Sequence, residues 1–295
     1  MTKKFNYIKL NAFTSKNSAG NPAACLYLQK NQKLSHEEMQ KIAFEHKGFV
    51  SEVVFCRPVE EEAYELKYYS SECEVDFCGH GTIACMYYLL KNTQRLLNVP
   101  SINIITKKGI LKVYNEILPL NAVFITAPEP RYIEVKVKEE QIADHLGILL
   151  DDISKKYPVS IIDAGLRTLI VPIKNLKATL YMMPDEQRLK EFCISNEMDI
   201  VLVFSTEVVE QKNIIRTRVF APKFGYLEDD ATGSGNSAVG YYMLKNNLWK
   251  GHAVSIEQNK QEKAFNIIQL KTSENKVLFG GQATTKIEGY YFSEI

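Results

Sequence analysis

Apolar and polar residues alternate over residues 7–13, the period-two signature of a half-buried strand. A stretch rich in Ser, Asn, Gly and Pro follows at 14–22, and a second strand is predicted at 23–28. The period then changes. Ser35 stands three residues before Glu38, a capping box ahead of Met39, Ile42 and Ala43, so an amphipathic helix starts there and ends by Gly48. Residues 49–55 are apolar and β-branched around one carboxylate, Glu52, and further strands are predicted at 64–69, 102–106, 110–114 and 122–126. Pro128 and Pro130 interrupt both helix and ladder and mark a boundary at 127–130. Beyond it the pattern predicts helices over 139–146 and 185–192, and strands near Ile161 and at 168–172, 200–204, 214–220, 254–257, 267–270, 277–279 and 286–292.

Two segments, 83–90 and 238–244, show no polar face for two turns, and a helix that is apolar all round is a buried helix. Both belong to one repeat. The seventeen residues from Asp76 to Asn92 return 154 residues later, from Asp230 to Asn246, with nine positions identical when laid over each other without a gap. Chance pairing gives roughly one. The chain therefore contains an internal duplication, which predicts two similar halves, each an α+β unit with a curved sheet around one buried helix.

Each copy opens with Gly-x-Gly, Gly79 to Gly81 and Gly233 to Gly235, read as a tight turn at the mouth of the buried helix. The first N–H groups of a helix lack intrahelical partners and carry the positive end of its dipole, so each copy offers a small anion site. Such a site suits a carboxylate substrate, or the anion left when a C–H proton is removed. A plain structural turn before a core helix is the competing reading, weakened by the presence of two copies with different polar residues, His80 and Ser234, between the glycines.

Proton movement needs an acid and a base within reach. The candidates beside the repeats are His80, Cys78, and Asp229 or Asp230, with Glu52 brought in by the fold. A histidine at a helix N-terminus tends to stay neutral, and burial would raise the Glu52 carboxyl towards neutrality. Glu52 is equally readable as the solvent-facing member of a half-buried strand, and His80 as a histidine bonding a backbone carbonyl.

Composition narrows the classes. A hydrophobic content of 45% with 24% charged residues is that of a globular protein, and a net charge of +1 without a basic stripe argues against nucleic-acid binding. No apolar run approaches eighteen residues, and the start has no apolar signal core, so neither a membrane span nor secretion by such a signal is expected. Six cysteines without a framework spacing point to free thiols of a reducing cytoplasm. Cys73, Cys78 and Cys85 lack paired C-x-x-C spacing, so no metal site is expected. Gly233-Ser-Gly235 is neither a P-loop nor a dinucleotide-binding fingerprint.

Four ordered motifs carry a resemblance: Asn11-Ala-Phe-Thr with Gly20-Asn-Pro-Ala-Ala24, Ser51-Glu-Val-Val-Phe55, Cys78-Gly-His-Gly-Thr82, and Glu228-Asp-Asp-Ala-Thr-Gly-Ser-Gly235. In order and spacing they resemble the phenazine-biosynthesis isomerase (PhzF-like) family of the diaminopimelate epimerase superfamily, nearly end to end. The resemblance implies two pseudo-symmetric domains, each a barrel-like antiparallel or mixed sheet wrapped around a central helix. They would span 1–127, completed by the strand at 282–295, and 128–281. It also implies isomerisation without a cofactor, by proton transfer on a small carboxylate-bearing substrate in the interdomain cleft, and a homodimer.

Carried over by motif, Glu52 resembles the general acid/base, with His80 and Asp229 as its catalytic partners. Asn21, Cys78, Gly79, Thr232, Gly233 and Ser234 resemble the substrate-binding set. The chain departs from the family pattern in about two extra residues before Ser51-Glu52 and in a second carboxylate, Asp230, beside Asp229. Two-thiol racemases of this fold place a cysteine before the first glycine in both halves; Cys78 and Thr232 here disfavour that chemistry, since a threonine hydroxyl is far too weak an acid to trade roles with a thiolate. The remaining alternatives are a one-thiol amino-acid epimerase using Cys78, and a binding scaffold without catalysis.

Overall fold

The computed structural model describes residues 2–294, and its contacts divide the chain into two compact units. Of the described residues, the first holds 2–14, 19–126 and 280–294, the second 15–18 and 127–279. In chain order the first unit contributes β1 (Thr2–Ala12), β2 (Asn21–Tyr27), α1 (His36–Glu45), β3 (Glu52–Glu60), β4 (Ala63–Ser70), β5 (Glu74–Val75), α2 (Gly79–Asn92), β6 (Ser101–Thr106), β7 (Gly109–Glu116), α3 (Ile117–Leu120) and β8 (Ala122–Thr126). The second contributes β9 (Arg131–Ile133), α4 (Glu139–Leu146), β10 (Ser160–Asp163), β11 (Arg167–Pro172), α5 (Leu176–Tyr181), α6 (Glu186–Ser195), β12 (Ile200–Ser205), β13 (Ile215–Phe220), β14 (Glu228–Asp229), α7 (Gly233–Lys245), β15 (Val254–Gln258), β16 (Asn266–Ser273) and β17 (Lys276–Gly281). The last strand, β18 (Ala283–Glu294), runs antiparallel along the whole of β1.

The two units share one wiring. In the first, β2 lies parallel to β3, β3 antiparallel to β4, and β4 is flanked by antiparallel β5 and parallel β6, which turns back into β7. In the second, β11 lies parallel to β12, β12 antiparallel to β13, and β13 is flanked by antiparallel β14 and parallel β15, which turns back into β16. The duplication thus extends from the seventeen-residue repeat to the whole strand order, and the fold is α+β. Each sheet curves round its own helix. α2 packs against β1, β2, β3, β8 and β18, and α7 against β10, β11, β12 and β16.

Burial explains why both helices lack a polar face. Ile83, Ala84, Cys85, Met86 and Leu90 of α2 are completely enclosed, as are Ala238, Val239, Tyr242 and Met243 of α7. At ~25 cal/mol per Å2 of apolar surface removed from water, each large side chain among them contributes about 1.5–3 kcal/mol. The peripheral helix α1 behaves differently: only Met39, Ile42 and Ala43 are buried, and its start is fixed by the predicted capping box, Glu38 N donating to Ser35 Oγ at 3.2 Å and Ser35 N to Glu38 Oε2 at 2.6 Å.

Some elements exceed the sequence expectation. α5 and α3 were not predicted, nor were the short strands β5, β9 and β14; pieces of two to six residues carry too few periods to register. The second unit also holds an unexpected ion pair in its core. Arg216 and Glu257 are fully buried, 3.2 Å apart, and Glu257 further accepts from Val209 N, Glu210 N and Asn213 Nδ2, which satisfies the charge where water cannot reach.

Candidate active site

The Gly-x-Gly motifs are not turns ahead of the helices. Gly79 and Gly233 are the first helical residues, and neither they nor Gly81 and Gly235 have positive φ. Space, rather than backbone freedom, requires glycine. A Cβ on Gly81 would stand 2.9 Å from Val54 Cγ2 and 3.0 Å from Cys78 Sγ, and one on Gly233 would stand 2.3 Å from the Phe279 ring. The small residues let each helix mouth press against its own sheet.

At the mouth of α2, Cys78 is the N-cap, extended at φ −126° and ψ 112°, and its Sγ accepts from Gly81 N at 3.3 Å. Thr82 locks this turn by donating from Oγ1 to Cys78 O at 2.7 Å, while Tyr68 OH lies 2.7 Å from the same hydroxyl. His80 Nδ1 lies 3.5 Å from Cys78 Sγ, and His80 Nε2 lies 3.0 Å from Glu52 Oε2. Glu52 arrives there as the first residue of β3, paired with Ala23 on one side and Ser70 on the other. Asn21, buried at the start of β2, lies two residues before that Ala23.

The three groups set one another's protonation. Burial works to raise the Glu52 carboxyl, but the positive charge of His80 and the contacts with His80 and Cys78 outweigh it and hold the carboxyl below its ordinary value. Burial works to lower His80, yet the neighbouring Cys78 and Glu52 hold it well above the ordinary imidazole range. Burial and the Glu52 charge push the Cys78 thiol up. The opposite displacements of Glu52 and His80 favour a carboxylate beside an imidazolium. This reverses two sequence expectations: Glu52 is not raised, and His80 is not neutral. The reason is the same for both, since a direct ion pair at 3.0 Å outweighs burial and the helix dipole.

The mouth of α7 repeats the backbone with other chemistry. Thr232 is the N-cap at φ −118° and ψ 113°, but its hydroxyl makes no cap hydrogen bond. Asn236, at the place of Thr82, donates from Nδ2 to Thr232 O at 2.7 Å, and Gln258 fastens the turn from β15. Gln258 Oε1 accepts from Thr232 N and Asn236 Nδ2, and its Nε2 donates to Asp229 O and Thr232 Oγ1. Both side chains are wholly buried. Ser234 is half-buried at the place of His80. Asp229 Oδ1 accepts from Ala231 N at 3.3 Å, whereas partial burial and the Glu228 carboxylate raise the Asp230 carboxyl.

Strand pairing shows what faces the second mouth in place of Glu52. Tyr68 pairs with Val75 and Val54, and Val219 pairs with Asp229 and Leu202. Two residues before Val54 stands Glu52, and two before Leu202 stands Ile200, each the first residue of its strand. The second unit has isoleucine where the first has its carboxylate. Sequence reading did not single out Asn236, Gln258 or Thr82; polar residues at buried positions of apolar segments were the available signal.

The phenazine biosynthesis-like protein model matches residues 10–289 of the chain. The chain belongs to the PhzF family. Among relatives of this PhzF-family chain, the uncharacterized isomerase YfhB of Bacillus subtilis is 31% identical over 261 residues, covering 88% of this chain and 87% of YfhB. Antisense-enhancing sequence 1 of Schizosaccharomyces pombe is 28% identical over 97% of this chain and 98% of that protein. The fold is shared with a PhzF-family protein of Bacillus anthracis, at TM-score 0.83 and 24% identity over 99% of this chain and 100% of that one. It is shared more distantly with a hydroxyproline epimerase of Agrobacterium vitis, at TM-score 0.57 and 12% identity over 98% and 91% of the two chains. The PhzF-family chain is accordingly an isomerase by family. Among its described residues, no helix is long and apolar enough to cross a membrane.

Proposed function

We propose that this isomerase moves a proton between carbon atoms of a small carboxylate-bearing substrate, without a cofactor, in a cleft lined by the mouths of α2 and α7. The observation that carries the reading is the Glu52–His80 pair, 3.0 Å apart with pKa values displaced in opposite directions. The carboxylate is ready to accept a proton and the imidazolium ready to donate one, so both halves of a proton shift are present at neutral pH. The helix mouths supply backbone N–H groups for the substrate carboxylate and for charge developing as the C–H bond breaks. Gly79 on one side, and Thr232, Gly233 and Ser234 on the other, contribute these contacts; Asn21 shapes the first side. Asp229 assists from the second unit, and an Asp230→Asn variant of unchanged turnover would agree with that assignment.

A second reading, epimerisation through the Cys78 thiol, has the nearness of Sγ to His80 in its favour. It has against it a thiol held protonated by burial and by Glu52. The deciding experiment is incubation in D2O with a panel of small carboxylic acids and cyclic amino acids, reading deuterium uptake by mass spectrometry. Uptake that vanishes in Glu52→Gln and survives in Cys78→Ser supports the glutamate mechanism. The opposite pattern replaces it with the thiol mechanism, and no uptake from any compound favours a binding scaffold.

A further inference from the structure

The same corner of the first unit combines ligand types that proton transfer alone does not call for. One carboxylate oxygen of Glu52, Cys78 Sγ and one ring nitrogen of His80 all lie within 4.8 Å of one another. We propose that these three side chains form a binding site for a thiophilic divalent transition-metal ion, Zn2+ in the first instance, which takes the place of the protons on the Cys78 thiol and the His80 ring nitrogen as these are released to solvent, and that the bound ion blocks proton transfer.

Geometry and ligand chemistry both point there. Zn2+ is held tetrahedrally by thiolate sulfur at about 2.3 Å, imidazole nitrogen at about 2.0 Å and carboxylate oxygen at a similar distance, which separates sulfur from nitrogen by ~3.5 Å and nitrogen from oxygen by ~3.3 Å. Here Nε2 of His80 lies 3.8 Å from Cys78 Sγ and 3.0 Å from Glu52 Oε2, so adjustments of a few tenths of an ångström meet both separations. Glu52 Oε2 is buried without a hydrogen-bond partner, its approach to His80 being an ion-pair contact only. The sulfur is already oriented, since Gly81 N donates to it and the Thr82 hydroxyl fixes the cap residue that carries it. A backbone N–H aimed at a ligating sulfur, and ligands carried on a strand and a helix start rather than on loops, are what hold a metal site in shape.

The mixed sulfur, nitrogen and oxygen set selects against Mg2+ and Ca2+, which take oxygen ligands, and favours Zn2+ and Co2+. Three protein ligands leave a fourth position for water or for a substrate carboxylate. The spacing of Cys73, Cys78 and Cys85 argues against a cysteine-based metal site; the partners of Cys78 are instead a histidine two residues on and a glutamate twenty-six residues earlier. Inhibition by the ion rests on the proposed function, because it requires Glu52 and His80 to be the proton-transfer pair. The binding site itself does not.

Cobalt titration of the full chain without substrate tests the site. One Co2+ per chain is expected, with a near-ultraviolet thiolate-to-cobalt charge-transfer band that Zn2+ bleaches by displacement. Cys78→Ser should abolish the band and Cys73→Ser should leave it intact. Glu52→Gln and His80→Gln should each weaken binding at least about tenfold, a loss seen even for outer-sphere changes at metal sites. Circular dichroism establishes that each variant is folded; if Cys78→Ser is not, the two weakened affinities decide. No band in the natural chain, a band that persists in Cys78→Ser, or affinities unmoved by Glu52→Gln and His80→Gln would overturn the proposal. Deuterium exchange separates the two readings: a chain that binds Co2+ but exchanges nothing keeps the metal site and loses the isomerase mechanism, and one that exchanges but ignores Co2+ and Zn2+ does the reverse.

Discussion

The two helix mouths are built on one backbone and differ in what they hold. Cys78 and Thr232 cap their helices with φ and ψ alike within ten degrees, and a side chain four residues on ties each cap carbonyl at 2.7 Å. Around that common turn the first unit gathers a carboxylate, an imidazole and a thiol, whereas the second gathers Gln258, Asn236 and Thr232 in a closed, neutral hydrogen-bond cluster faced by Ile200. The difference teaches how a duplicated fold can divide labour. One copy keeps groups that change protonation, and the other keeps a fixed set of dipoles that cannot.

The comparison is most sharply broken at Glu52. Glu52→Gln should lower deuterium exchange by about 100- to 10,000-fold, the usual contribution of a positioned general base, while Ser234→Ala in the other mouth should weaken substrate binding more than it slows exchange. Equal losses in rate would mean that the two mouths share the chemistry. Next in size is the exchange of environments: Ile200→Glu introduces a buried carboxylate with no histidine at the place of His80, and should cost about 3 kcal/mol or more in urea unfolding. A negligible cost would mean that Ser234 or the cluster around it accepts the charge.

Smaller effects separate the two ways of fastening the turn. Gln258→Ala removes a side chain that bonds Thr232, Asn236 and Asp229 and leaves buried partners unsatisfied, an expected loss of about 2 kcal/mol. Thr82→Val keeps the shape and removes the hydroxyl between Tyr68 and Cys78 O, an expected loss of about 1 kcal/mol. Similar costs would deny that the second cluster is the more tightly coupled.

The mildest perturbation is pH. Glu52 is lowered from 4.5, so its stabilising contribution is present above pH 4.5 and is lost as pH falls through the folded value; His80 is raised from 6.5, so its contribution is complete below pH 6.5 and is lost as pH rises through the folded value. The pair contributes most between these limits, and exchange should follow a bell whose limbs lie outside them. In Glu52→Gln the alkaline limb should move down, because His80 keeps Cys78 but loses the carboxylate that also raised it. A stability profile flat from pH 4 to 9 would argue against an ion pair.

Much of this fold is legible in the sequence alone. The repeat at Asp76 and Asp230 disclosed the duplication because buried helices tolerate few polar residues, which kept both copies similar. The Ser35–Glu38 capping box and the helix over 139–146 were equally plain, since their signals are local. What stayed hidden depends on distant residues. Glu52 could be read either as a solvent-facing strand residue or as an acid, because its partner lies twenty-eight positions away on another element. The glycines were recognised, but for backbone freedom rather than for the closeness of Val54 and Phe279, which only the packed sheet reveals. Gln258 and Asn236 looked like ordinary polar residues until pairing of β13 with β15 put them under the second mouth.

The pairing of β1 with β18 bears on how the chain is made. Thr2 meets Glu294 and Ala12 meets Ala283, so the outer ladder of the first unit joins residues from opposite ends of the described sequence. On the ribosome, every residue of the second unit emerges before that ladder can form. The unit that begins first is therefore finished last, and until residues 283–294 appear β1 offers an open edge to other nascent chains. A chain stalled when residue 281 has just left the ribosomal exit tunnel should display a protease-resistant second unit beside a first unit that still exchanges its β1 amides.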